Sequence, residues 1–234
     1  MFGKTKPVSA AQTLRTLAVL LSYPDADLRG FMPQMRAVLH REKALSDARL
    51  NELDALLTNL SRHDDLVNEA EYVSLFDRGR ATSLHLFEHV HGDSRDRGPA
   101  MIDLAQTYEK AGLYLAEGEL PDYLPAVLEF VSTQPPSEAQ AFLSEMAHIF
   151  NAIFGALQAH HSLYAGVLGA LLELAGEKVQ PVKLPSEEDL DESWAEPPVF
   201  DGCSSKGQAK PGQAQPIHIV RQRSVAVAQT GARS

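Results

Sequence analysis

Apolar residues recur along most of this chain at helical spacing. Leu14, Leu17, Ala18 and Leu21 fall at i, i+3, i+4 and i+7, and Pro24 closes the pattern. Pro33 suits the first turn of a second helix that runs through His40. Ser46 stands as an N-cap before Leu50, Leu53, Leu57 and Leu60. Tyr72, Leu75, Phe76 and Gly79 share one face of a further helix, and Met101, Leu104, Ala105 and Tyr108 form a stripe after Pro99. Phe142, Met146, Ile149, Phe150 and Ile153 predict one long helix, and Leu163, Val167, Leu171 and Leu174 a last one. No segment alternates as a half-buried strand does. No repeat of fixed period appears, which disfavours a solenoid. The pattern predicts an all-α bundle of about eight or nine helices.

The periodicity stops near Lys178, where Pro, Gly, Ser and Gln take over. Residues 1–178 read as one helical domain and residues 179–234 as a largely flexible tail. The run from Cys203 to Pro216 has too little apolar surface to offset its ordering entropy. Trp194, Val199–Phe200 and Ile217–Val220 are apolar islands within it.

Composition narrows the class. With 234 residues and 44% hydrophobic content, the chain is long enough for one sizeable core. A net charge of −10 without a basic cluster argues against nucleic acid or an anionic membrane surface as partner. No uncharged apolar run approaches the ~18–20 residues of a membrane span, and Met1–Ala10 lacks the apolar core of a secretory signal. The expectation is a soluble, cytoplasmic protein without direct membrane insertion. The single cysteine, Cys203, excludes an internal disulfide framework and a Cys-rich zinc site.

The charge is unevenly placed. Between Ala111 and Glu177 there is no Lys or Arg, yet eight carboxylates fall there. A solvated acidic surface and a docking face for a basic or amphipathic partner segment both fit this. Within the stretch, Glu119-Leu-Pro-Asp-Tyr-Leu-Pro125 cannot be one regular helix, because its two prolines are four apart. It reads as a structured connection. Asp122 either caps the helix carrying Val127, Leu128 and Val131 or presents its carboxylate, with an aromatic ring, beside a groove.

Candidate chemistry is sparse. Glu88–His91 and Glu145–His148 have the Glu-x-x-His spacing of di-metal carboxylate bundles, which makes a helical oxidase or oxygenase the rival reading. Helical geometry opposes it. The Phe142–Ile153 stripe sets the inward direction, and His148 lies roughly 140° from it, at about 100° per residue. His85 and His89, one turn apart with His91 nearby, read more simply as solvated or capping residues than as zinc ligands. There is no Gly-x-Ser-x-Gly elbow, Walker loop or Gly-x-Gly-x-x-Gly fingerprint. The segment Tyr72–Pro99 packs aromatics, histidines and four arginines together, with Asp77, Arg78, Arg80, Glu88, Asp93, Arg95, Asp96 and Arg97 able to pair among themselves.

That segment carries a resemblance. Leu75-Phe-Asp-Arg-Gly-Arg-Ala-Thr-Ser-Leu84 and Leu86-Phe-Glu-His-Val-His-Gly92 resemble the NarJ family, assembly chaperones of membrane-bound respiratory nitrate reductase. Ser94–Gly98, Tyr108, Gly112–Leu113 and Glu119–Pro125 continue the likeness in order, and Leu20-Leu-Ser-Tyr-Pro-Asp25 fits the family's first-helix ending. It spans about residues 14–178; the tail is only loosely similar. The resemblance implies a TorD-like all-helical chaperone, not an enzyme, without a cofactor of its own. Such a protein binds the N-terminal segment of the apo catalytic subunit until the molybdenum cofactor is inserted, and is absent from the mature enzyme. On that basis Tyr72, Leu75 and Phe76 are expected as groove wall or support, Glu119 and Asp122 as anionic contacts, and Tyr123 as an aromatic rim. Tyr123 stands where the wider group often carries His.

Overall fold

The structure, a computed structural model, describes residues 9–91 and 94–180. Among the described residues ten α-helices follow one another: α1 (Ala11–Leu20), α2 (Ala26–Glu42), α3 (Asp47–Arg62), α4 (Asp65–Tyr72), α5 (Leu86–Val90), α6 (Arg97–Lys110), α7 (Leu124–Ser132), α8 (Pro136–Glu145), α9 (Ala147–Ala159) and α10 (Ala165–Ala175). A π-helical turn, Val73–Asp77, and a 3-10 turn, Arg80–Thr82, lie between α4 and α5. Among the described residues the one strand-like feature is an isolated antiparallel bridge, His85 to Tyr123. No described helix is long and apolar enough to cross a membrane. The flexible-tail reading of residues beyond 180, with Trp194, Cys203 and the apolar islands, lies outside the described residues.

Two helices are apolar nearly all round and form the centre. In α7 only Glu129 escapes burial, and in α10 only Glu173 and Leu174 do. Helix α1 packs along α7 and α2, while α10 packs against α9, α8 and α3. Helix starts follow local chemistry. Asp25 caps α2 by accepting from the Leu28 N–H at 2.9 Å, and Ser46 caps α3 as its position predicts. Ala10 has no capping group, so the Glu42 carboxylate at the end of α2 takes the Gln12 and Thr13 N–H groups of α1 instead.

Three local expectations change. Pro33 lies inside α2, not at its start, because the Asp25 cap begins the helix at Ala26. Leu28, Met32, Met35 and Leu39 bury one stripe across the break, and Pro33 is on the exposed face, where water can reach the carbonyl it leaves unbonded. The Phe142–Ile153 stripe divides into α8 and α9 at Met146. There the His148 Nδ1–H donates to the Glu145 carbonyl at 3.1 Å, and the Ile149 N–H turns to the Met146 carbonyl. The helix expected to carry Tyr72 to Gly79 widens into the π turn, which places both Leu75 and Phe76 inward and leaves Gly79 beyond it.

The π turn is pinned from one side. The Thr82 hydroxyl donates to the Leu75 carbonyl. Gly79 makes room for this: a Cβ there would collide with the Thr82 hydroxyl and come within 2.8 Å of the Leu75 carbonyl. Beyond α10, Gly176 takes the left-handed conformation that ends the helix, at φ +77°. The buried Asn151 then holds Gln180 by two backbone bonds of 2.8 Å.

Candidate functional site

Four stretches meet around a cavity of about 630 Å³: the Tyr23 turn, the end of α4 with its π turn, residues 79–88, and Tyr123 ahead of α7; Arg97 of α6 closes the lining. Its floor is aromatic. The Tyr72 ring lies 4.8 Å from Phe76, 5.6 Å from Tyr23 and 6.2 Å from Tyr164, and Phe76 meets Tyr164 edge-on at 5.2 Å. The Tyr72 hydroxyl donates to the Leu21 carbonyl at 2.8 Å, which ties the floor to the end of α1. It also lies 3.2 Å from the Tyr123 hydroxyl. Burial pushes both phenols above their ordinary range, so both remain neutral hydrogen-bonding groups.

Asp122 builds one wall from beneath. It is fully buried. Its carboxylate accepts the Phe87 N–H at 3.2 Å, meets the His85 Nδ1 at 3.4 Å and lies 3.8 Å from the Arg97 guanidinium. Its backbone carbonyl accepts the Leu86 N–H, and the Leu124 N–H donates to the Leu84 carbonyl, which completes the bridge. Arg97 also pairs with Glu88 at 3.6 Å. The Asp122 hydrogen bond raises the His85 imidazole above its ordinary value, against burial, which lowers it. Tyr108 reaches the same loop, donating to the Pro121 carbonyl at 2.8 Å.

The cap reading of Asp122 is therefore corrected. The N-cap of α7 is Tyr123, with no side-chain cap bond. Leu84 already takes the Leu124 N–H and Pro125 has none, so little is left at this helix start for a cap to satisfy. The carboxylate turns instead toward residues 85–87.

The six expected site residues separate. Tyr72, Phe76 and Tyr123 line the cavity. Leu75 is buried outside the lining, its carbonyl bonded to Thr82. Glu119 is exposed on the loop ahead of α7, where its carboxylate accepts the Ala116 N–H. The Lys/Arg-free stretch contributes only Tyr123 to the lining. One of its carboxylates, Glu173, is structural: it accepts from the Ser46 N–H and hydroxyl. The charges facing the cavity come instead from Asp77, Arg78, Arg80, Glu88 and Arg97. Sequence reasoning took these for a salt-bridged turn and missed Tyr23, whose signal was the Tyr-Pro-Asp ending of the first helix.

The four residues of the di-metal reading do not converge. Glu145 and His148 are exposed, and among the described residues no three His, Cys, Asp or Glu side chains could hold a metal ion. The His89 imidazole bonds the Ser83 carbonyl at 2.9 Å.

A helical body with an aromatic cavity, walled by the bridge between His85 and Tyr123, defines an all-α fold class. Its fold is shared with a protein from Archaeoglobus fulgidus assigned to redox enzyme maturation, at a TM-score of 0.51 and 22% identity, over 76% of this chain and 100% of that one. Residues 41–169 match the nitrate reductase delta subunit family, and the chain belongs to that family. It is 43% identical over 192 residues to the nitrate reductase molybdenum cofactor assembly chaperone NarJ of Escherichia coli strain K12, covering 82% of this chain and 81% of that protein. It is 39% identical over 200 residues to the probable assembly chaperone NarW of the same strain, covering 85% and 83%.

Proposed function

We propose that this protein is a system-specific chaperone of respiratory nitrate reductase, acting in the cytoplasm as a binding protein rather than an enzyme. It holds the N-terminal segment of the apo catalytic subunit, keeps that subunit competent for molybdenum cofactor insertion and complex assembly, and leaves before the enzyme is mature. The observation that carries this reading is where the resemblance falls in space. The block from Leu75 to His91 folds into the wall and floor of the 630 Å³ cavity.

An amphipathic partner helix would lay its apolar side on Tyr72, Phe76 and Tyr123, supported from behind by Leu75. Burial contributes ~25 cal/mol per Å², less the cost of ordering the segment. Rim charges contribute orientation and salt dependence. Asp122 acts from below by holding His85 and Tyr123 in place, and Glu119 remains an anionic contact outside the cavity.

Calorimetric titration with a synthetic peptide of the subunit's N-terminal segment tests this. Saturable binding with a negative heat-capacity change is expected. Absence of binding at every salt concentration refutes the docking mode.

A further inference from the structure

The cavity lining is not electrically uniform. Arg97 is engaged by Glu88 and Asp122 at the His85 end. Asp77, at the last position of the π turn, is exposed, lines the cavity and forms no ion pair among the described residues. Its charge reaches the phenols of Tyr23, Tyr72 and Tyr123 together. Tyr23 meets Tyr72 edge-on at 83° and is 43% exposed, so Tyr23 is the open side of a corner whose other side, Tyr72, is 5% exposed.

We infer that this corner is a cation subsite. Tyr23, Tyr72 and Tyr123, with the Asp77 carboxylate, receive an ammonium or guanidinium group of the client segment. The inference rests on the proposed function and names the chemistry that the site selects. Aromatic rings with negative faces attract an organic cation at close range, and an exposed carboxylate beside them supplies the counter-charge. Asp122, the carboxylate expected from sequence to meet such a cation, is fully buried and occupied by its own donors. Arg78 and Arg80 line the same cavity, as does His85, whose ring is 5.4 Å from Tyr123. A cation is therefore held at the end where the phenols and Asp77 outweigh the Arg78 guanidinium. Glu69, beside Tyr23, is paired with Arg29 at 3.4 Å, so these two charges largely offset each other there. The asymmetry fixes which way the client segment lies.

Three sources of the cation are distinguished by peptide chemistry. The full-length protein is titrated with the subunit's N-terminal peptide in native form, with its amine acetylated, with each Lys replaced by norleucine, and with each Arg replaced by citrulline. One neutralised peptide should bind about tenfold more weakly than the native one. Asp77→Asn should lose a similar factor against the native peptide and show little further loss against that neutralised peptide. Tyr23→Leu should lose a similar factor against the native peptide and little more against that neutralised peptide, which keeps the test open if Asp77→Asn fails to fold. Undiminished binding of every neutralised peptide, or of the native peptide to folded Asp77→Asn, overturns the subsite while leaving the chaperone reading intact. If the wild-type protein binds no version, both readings fall.

Discussion

Asp122→Ala separates the two roles that a carboxylate ahead of a helix can play. A lost helix cap costs ~1 kcal/mol. The structure predicts more, because this side chain is fully buried and its removal strips partners from the Phe87 N–H and the His85 imidazole. Leaving a buried donor unsatisfied costs ~1–3 kcal/mol, so the variant should lose roughly 2–4 kcal/mol. The Arg97 guanidinium, at 3.8 Å, retains Glu88 and adds little.

The loss should also depend on pH. Asp122 raises the folded His85 pKa above its ordinary value of 6.5. That contribution is fully present below the unfolded pKa and is lost as pH rises through the folded one. The gap between wild type and variant should therefore narrow as pH climbs above 6.5. Urea unfolding at several pH values measures the gap, and the His85 ring resonances report the pKa, which should fall in the variant. A deficit near 1 kcal/mol with an unchanged His85 titration would refute the reasoning.

Other perturbations probe the same region. Phe76→Ala removes a buried ring packed on Tyr72 and Tyr164 and should cost ~3–5 kcal/mol by denaturant unfolding; full stability with lost peptide binding would instead make that ring purely a contact residue. Gly79→Ala should destabilise by ~1–3 kcal/mol, because the new methyl drives apart Thr82 and the Leu75 carbonyl; a thermal melt unchanged from wild type contradicts this. Ending the chain after Gln180 keeps the Asn151 pair and should leave one cooperative melting transition with peptide affinity intact; a broadened transition would assign the remainder a structural part.

Most helices were legible because burial imposes a 3.6-residue rhythm wherever a helix covers the core. The Leu50 to Leu60 stripe and its Ser46 cap are local facts, and both hold. The failures share a cause: each was decided by a group remote from the period or outside it. Pro33 is tolerated because the stripe around it is buried. The Phe142 stripe divides because an imidazole competes for one carbonyl. The site was half legible. Tyr72, Phe76, Asp77, His85 and Arg97 lie in the one Tyr72–Pro99 segment, whereas Tyr23, Tyr123 and Tyr164 join them only when separate segments close on one another. Asp122 misled because its position before Pro125 looks like a cap, and only the folded chain shows what stands opposite.

The bridge between residues 84–87 and 122–124 has a practical consequence. Two backbone bonds and one carboxylate fasten the cavity wall to the central helix, across a sequence gap bridged by α6, of which only Tyr108 is buried. The amide protons of Leu86, Phe87 and Leu124 thus belong to a single clasp. Their deuterium uptake should rise and fall together, offering three adjacent spectroscopic gauges of whether the pocket is shut or sprung, readable without any knowledge of the cargo.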